Sequence, residues 1–133
     1  RLQLNDQIMT NELQDMLKIM SRNKRVLATL ARAYLEARRS QEDCMRSINL
    51  SSILLFAHPK DDKHNAEWVE NLLRQTKAYF HYGALSGKPE AFRKVVNTVE
   101  NLQVVDLLDP YNEAVPSSKR EFEQLLTDAK SKL

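Results

Sequence analysis

The sequence predicts an all-α fold, a bundle of four or five helices built on a long N-terminal helix. From Met9 to Ile48, mostly apolar side chains recur at alternating steps of four and three, the spacing of one packed helix face. No Gly or Pro interrupts this stretch, and the 133 residues include only two glycines, which disfavours a sheet rich in turns. We therefore expect one helical domain over residues 1–133, a fragment of a larger protein because the chain begins at Arg1.

The first helix is too long to remain unbroken inside a compact domain. Roughly forty helical residues would span about 60 Å, whereas a domain of this length has a diameter of about 35 Å. Either the helix projects and pairs with another chain, or it breaks. Ser40 with Asp43 forms an N-cap with an acid at the third helical position, which favours a break there. The other polar stretch, residues 21–25, contains no strong helix breaker.

The second helix is predicted from about Ser40 to Ala57. Its last residues, 53–57, are apolar on every side, so we expect them at the centre of the bundle. Pro59 ends this helix, because the residue before a proline avoids the α region.

The third helix is predicted to begin at a cap supplied by Asp61 or Asp62 and to run through Tyr82, with Gly83 at its end. Its apolar positions follow helical spacing and predict the face that packs into the core. They are Val69, Leu72, Leu73, Thr76 and Phe80.

The last third of the chain predicts two more helices. Pro89 suits the first position of a fourth helix, which would run toward Leu108. Residues 109–116, with a proline near each end, are expected to form an extended, exposed loop. Ser118 and Glu121 have the spacing of a capping box for a final amphipathic helix.

Composition limits the classes of function. Twenty basic and eighteen acidic side chains give a net charge of +2, which argues against a chain dedicated to nucleic acid or to an anionic membrane surface. The longest apolar run, residues 53–57, is far too short to span a bilayer. Cys44 is the single cysteine and can form no internal disulfide, so we expect a reducing compartment, cytoplasm or nucleus. Cys44 lies on the apolar face, where an inert buried thiol is expected.

The segment from His58 to His64 holds the densest set of possible metal ligands. Imidazole and carboxylate groups are ligands that zinc accepts. Two lysines in the same seven residues would oppose a cation, however, and polar turns often imitate ligand sets. We interpret the segment as a turn between helices and predict no metal and no cofactor. The sequence also contains no glycine-rich phosphate loop, cysteine pair or nucleophile elbow, so we predict that the protein is not an enzyme.

The function predicted by the sequence is protein–protein interaction, as an intracellular scaffold or adaptor domain. The domain would bind a helical or extended partner segment through a helix face or a groove between helices. Three aromatic side chains at the edges of the third helix either anchor such an interface or simply widen the contact of the helix with the core. These are Trp68, Tyr79 and Tyr82.

Two alternative functions remain open. Arg22, Lys24 and Arg25, with the pair Arg38–Arg39, would contact phosphates if the domain bound nucleic acid or an acidic surface. No aromatic residue is interleaved with them for base stacking, and a solvated or partner-facing stripe is the interpretation that we prefer for these residues. The second alternative is homodimerisation as a coiled coil through the Met9–Ile48 helix.

Overall fold

The computed structural model describes residues 23–58 and 65–133, together with Asp15. Over these residues every regular element is an α-helix, and the all-α prediction is confirmed. The other residues before 23 lie outside the described part, so the long N-terminal helix is not shown. The described chain contains six helices: α1 Lys24–Ala37, α2 Gln41–Phe56, α3 Ala66–Ser86, α4 Pro89–Val104, α5 Leu108–Ala114 and α6 Ser118–Ser131.

The predicted break at Ser40 is confirmed. The Ser40 side chain accepts a hydrogen bond from the backbone N–H of Asp43 at 3.2 Å, which satisfies one of the free donors in the first turn of α2. The Asp43 carboxylate in turn accepts from the backbone N–H of Arg39 at 3.1 Å. Arg38 has a left-handed backbone conformation (φ 25°), so the chain reverses between α1 and α2.

The prediction that residues 53–57 lie at the centre of the bundle is wrong. Leu54 is buried, but Phe56 is 76% exposed. The physical reason is that α2 packs on α1 and α3 with one face only, and the other face meets solvent. That buried face is made largely of small or short side chains: Asp43, Cys44, Ser47, Ile48, Ser51 and Leu54.

Helix α3 begins later than predicted. Its cap is Asn65, whose side-chain oxygen accepts from the backbone N–H of Glu67 at 2.7 Å. The predicted caps, Asp61 and Asp62, lie outside the described residues. Of the predicted core face, Val69, Leu73 and Thr76 are buried and the other two positions are partly buried.

Helix α3 also ends later than predicted, because Gly83 is not its terminus. The helix continues to Ser86, and Gly87 provides the left-handed cap with φ 72°. Gly83 lies inside the helix where the Phe92 ring of α4 packs against it. A β-carbon at Gly83 would lie only 2.9 Å from Phe92 Cζ, so the close approach of α3 and α4 requires a glycine.

Pro89 occupies the first turn of α4, as predicted, but α4 ends at Val104 rather than near Leu108. The predicted extended and exposed loop over residues 109–116 is wrong. Most of this segment forms α5, and Tyr111 within it is only 2% exposed. Its proline lies in the first turn, where backbone N–H groups lack helical partners, so the proline is tolerated. Helix α5 raises the helix count above the four or five predicted.

The predicted capping box of α6 is also wrong. Ser118 is already the first residue of the helix, and its hydroxyl is buried rather than capping. The preceding residue, Ser117, has φ 75° and forms no side-chain cap. Instead the side-chain oxygen of Asn112 in α5 accepts from the backbone N–H of Lys119 at 3.2 Å. A tertiary contact thus replaces the local cap.

The apolar core lies among α3, α4, α5 and α6. Its largest cluster joins buried side chains of all four helices: Val69, Leu73, Val99, Leu102, Leu108, Tyr111, Phe122 and Leu126. Helix α1 packs on α2, and α2 packs on α3, whereas α1 and α3 contact each other only slightly. Among the residues that the structure describes, this arrangement leaves an open groove between α1 and α3.

Candidate functional site: a groove between two helices

The groove consists of two adjoining clefts, of about 370 and 410 Å³, that share Glu70 and Arg74. We call it the α1–α3 groove. Leu54 of α2 lines the first cleft near its floor. The basic side chains that line the groove are Lys24, Arg25, Arg32, Arg38, Arg74 and Lys77, and the acidic ones are Glu36, Glu67 and Glu70.

Hydrogen bonds made by a buried serine, Ser47, and a partly buried one, Ser52, hold α1 on α2 and α2 on α3. The Ser47 hydroxyl donates to the Ala31 carbonyl at 2.8 Å, which joins α2 to α1. The Gln75 amide donates to the Ser52 hydroxyl at 2.6 Å, which joins α3 to α2. Helix α1 therefore lies beside α3 on the surface of α2, and the groove forms between them.

A second contact between α1 and α2 is built from an aromatic ring and a cation. The Arg46 guanidinium lies 5.4 Å from the centre of the Tyr34 ring and donates to the Tyr34 hydroxyl at 3.4 Å. Arg46 also pairs with Glu42 one helical turn earlier. This contact orients the C-terminal half of α1, which carries the basic residues of the second cleft.

Arg74 is the central side chain of the groove. It is only 8% exposed, and its Nη1 donates to the Asn71 side-chain oxygen at 2.8 Å. No carboxylate in the described ranges lies within ion-pairing distance of it. Burial is the main cause that lowers the pKa of Arg74, and the positive charge of Arg32 adds to it, while Glu70 opposes both. The guanidinium is therefore held in an unfavourable electrostatic environment.

The second cleft has a positive local field. Burial lowers the pKa of His81, and the charges of Arg38 and Lys77 lower it further. Arg38 and Lys77 thus place positive charge beside the imidazole at this end of the groove. The charge of Lys77 is partly neutralised, because its ammonium forms an ion pair with Glu121 of α6 at 2.7 Å.

His58 lies at the opposite end of the groove. Its Nε2 is 3.8 Å from a carboxylate oxygen of Glu67, and its ring meets Trp68 edge-on with 5.8 Å between ring centres. The remaining residues of the predicted ligand segment, 59–64, lie outside the described residues. Among the residues that are described, no group of three or more His, Cys, Asp or Glu side chains is arranged to hold a metal ion.

The structure divides the predicted site residues between different places. Lys24 and Arg25 line the first cleft, and Arg22 lies outside the described residues. Arg38 lines the second cleft, whereas Arg39 pairs with Asp43 at 3.5 Å.

The predicted aromatic anchors do not line the α1–α3 groove. Trp68 is partly buried against the core, and its indole N–H donates to the Tyr111 hydroxyl at 3.2 Å. Tyr79 packs against the smaller core cluster with Lys94 over its ring. Tyr82 is partly buried, and Lys88 lies 5.9 Å from its ring centre.

Sequence reasoning missed the residues of α3 that face the groove. Glu67, Glu70, Asn71, Arg74, Lys77 and His81 recur at steps of one to four along the helix and form a polar stripe beside the apolar one. Such a stripe is usually solvated, and nothing local distinguishes the buried Arg74 from its exposed neighbours. The stripe was the available signal, but it shows a groove only when the position of α1 is known.

Cys44 is fully buried in α2. Burial raises the pKa of its thiol, and the neighbouring Asp43 raises it further, while Arg38 opposes both. A thiol that is buried and protonated is a poor nucleophile.

Comparison of the chain with models of protein families, with curated proteins and with solved structures finds no match. In the part of the chain that the structure describes, no helix combines the length and apolar character needed to cross a membrane.

Proposed function

We propose that this chain is a protein-interaction domain, of scaffold or adaptor type, that binds a segment of a partner protein in the α1–α3 groove. The observation that carries the proposal is the open groove itself, which remains because α1 packs on α2 and only slightly on α3. Helix α1 has 14 residues and so offers a groove about 21 Å long. That length suits about four turns of a partner helix or about six extended residues.

The rigidity of the remaining domain supports this role. The core among α3 to α6 is apolar and continuous, and ion pairs join α6 to α4 and to α3. One wall of the groove, α3, belongs to that core. A partner segment would therefore meet one rigid wall and one wall held by hydrogen bonds, which suits recognition with small adjustment. We place the protein in the cytoplasm or nucleus, because Cys44 is a buried free thiol.

The proposal is tested by panning a library of displayed random peptides against the immobilised chain. Selected peptides are then measured by fluorescence anisotropy against the parent chain and two charge-reversal variants. Arg32→Glu places an acid in the groove, and Arg93→Glu makes the same change on the exposed surface of α4. We expect saturable binding that Arg32→Glu changes and Arg93→Glu leaves intact. Peptides that respond equally to both variants, or no saturable peptide at all, would contradict the proposal.

Homodimerisation is a second candidate because one observation favours it. Val26 and Leu30 lie one turn apart on α1 and are 57% and 43% exposed. Exposed apolar side chains on one helix face are typical of a surface that another chain covers. Light scattering over a dilution series tests this candidate. Homodimerisation is favoured if the mass of the parent chain falls with dilution while Leu30→Lys is monomeric at every concentration. A constant monomer mass of the parent chain would exclude it.

A further inference from the structure

We infer that the segment bound in the α1–α3 groove is acidic, and that one of its carboxylates pairs with the guanidinium of Arg74. This inference rests on the proposed function, since it names the chemistry of the partner at that same groove. The proposed occupant is a segment of a partner protein. Its carboxylate would bind where the two clefts adjoin, at the Arg74 side chain that lines both.

Arg74 has few hydrogen-bond partners for a guanidinium that is largely buried. A guanidinium carries five N–H donors, and Arg74 donates one hydrogen bond to a neutral amide, that of Asn71. Within the described ranges, no guanidinium nitrogen of Arg74 is both enclosed and without a hydrogen bond, so the charge keeps part of its hydration. Because Arg74 is otherwise buried, an opposite charge would compensate for the hydration that it has lost. Glu70 is near enough to affect Arg74 electrostatically but does not form an ion pair with it in the described structure. A carboxylate from outside would supply the missing partner.

Arg74 lies where the two clefts adjoin. Arg74 lines both of them, so a group that enters from either side reaches the guanidinium. The planar fork of arginine matches a carboxylate through two parallel hydrogen bonds, which are stronger than bonds between neutral groups. Asn71 fixes the fork from one side. The guanidinium is thereby oriented before the ligand arrives, which reduces the entropy lost on binding.

Other basic side chains surround Arg74 in the second cleft. Arg32 and Arg38 line the second cleft from α1 and approach from the side opposite to α3. They would attract an acidic segment over a distance and raise its rate of association. Of the acids of the groove, Glu67 and Glu70 lie on α3 together with Arg74, and Glu36 lies on α1. Basic side chains therefore outnumber the single described acid on the α1 side, whereas the α3 side is mixed.

This mixed pattern favours a protein over a nucleic acid. A phosphate backbone carries negative charge at every nucleotide and would meet Glu36, Glu67 and Glu70 along the groove. Among the described residues, no Phe, Trp or Tyr lines either cleft, so unpaired bases would find no aromatic ring of those types there to stack on. An acidic peptide that also carries a lysine or arginine can match both signs of charge.

The test combines substitutions in the peptide and in the protein. The probe is the tightest groove-binding peptide from the panning experiment, and each of its acidic residues is replaced in turn by the matching amide. Arg74→Met removes the guanidinium at similar volume, and Arg120→Met makes the same change at an exposed position of α6. Arg74→Lys retains the charge but loses the fork. Thermal unfolding of each variant is recorded beside its affinity.

We expect the selected peptides to be enriched in Asp and Glu relative to the unselected library. One Glu→Gln or Asp→Asn peptide should bind the parent chain about tenfold more weakly or worse. The same peptide change should have little effect on Arg74→Met, because the partner is then absent. Arg74→Met should unfold at the same temperature as the parent or higher, since it removes a buried charge without an ion-pair partner. Arg120→Met should bind like the parent.

The other outcomes separate the two proposals. Peptides that bind in the groove but tolerate every acid-to-amide change would overturn this inference and leave the proposed function standing. The absence of any groove-binding peptide would overturn both. If Arg74→Met does not fold, the peptide substitutions on the parent chain still decide the matter. A duplex oligonucleotide that displaces the peptide, with affinity that falls steeply with salt, would overturn the choice of a protein partner.

Discussion

Two serines one helical turn apart in α2 should respond in opposite ways to the same substitution. Ser47 and Ser51 are both fully buried. The Ser47 hydroxyl donates to the Ala31 carbonyl at 2.8 Å, whereas the Ser51 hydroxyl has no hydrogen-bond partner in the described structure. Both positions lie in the interior of the same helix. The pair therefore contrasts a buried hydroxyl that joins α2 to α1 with a buried hydroxyl that has no hydrogen-bond partner among the described residues.

The magnitudes follow from the two environments. Serine to alanine gains about 0.5 kcal/mol of helix propensity at either position. Ser47→Ala also loses a hydrogen bond with a net value of about 1 kcal/mol, so it should destabilise the fold by roughly 0.5 kcal/mol. Ser51→Ala removes an unsatisfied buried hydroxyl, whose burial costs about 1–3 kcal/mol, and should stabilise the fold. The difference between the two variants should be about 2 kcal/mol or more.

Urea unfolding followed by circular dichroism measures both values, with the midpoint compared at constant slope. We expect the midpoint to fall for Ser47→Ala and to rise for Ser51→Ala. Equal shifts of the same sign would refute the reasoning, because they would mean that the Ser47 bond does not hold α1 on α2. The position of α1 beside the groove would then need another explanation.

Three further predictions concern α2 and α3. Gly83→Ala should destabilise the fold by up to about 2 kcal/mol, because the new methyl group would lie only 2.9 Å from the Phe92 ring and this overpacking outweighs the gain in helix propensity. Urea unfolding measures the change, and a rise in stability would contradict the close packing of Gly83 on Phe92. The melting temperature should fall as the pH drops below about 6.5, and it should fall less in His81→Gln. Because the pKa of His81 is lowered in the folded chain, the unfolded chain takes up the proton at a higher pH, and this uptake favours unfolding. An identical pH profile in both proteins would contradict this. Cys44 should react with a thiol reagent far more slowly in the folded chain than in urea, since it is fully buried; equal rates would contradict its burial.

The sequence predicts those features of the fold that local chemistry determines. The break at Ser40 rests on a side chain that caps the next turn, and the start of α4 rests on Pro89, so both are visible within a few residues. The apolar spacing of α3 predicts its buried face for the same reason. These features depend on contacts within one helix or between adjacent turns.

The features that the sequence does not reveal depend on tertiary contacts. Gly83 suggests a helix end until the Phe92 ring is seen beside it, and the cap of α6 comes from Asn112 in another helix. Residues 109–116 suggest a loop because of their prolines, yet the buried Tyr111 secures a short helix there. Arg74 belongs to the groove only because α2 brings α1 beside α3. No spacing along the chain encodes that arrangement.

The amide resonances of the ¹⁵N-labelled chain, followed while the selected acidic peptide is added, test the central claim most directly. If the α1–α3 groove is the recognition surface, the largest shifts will lie in α1 and in α3 between residues 67 and 81, and the side-chain resonance of Arg74 will move with them. Largest shifts in α4, α5 and α6 instead, with α1 unchanged, would contradict the claim.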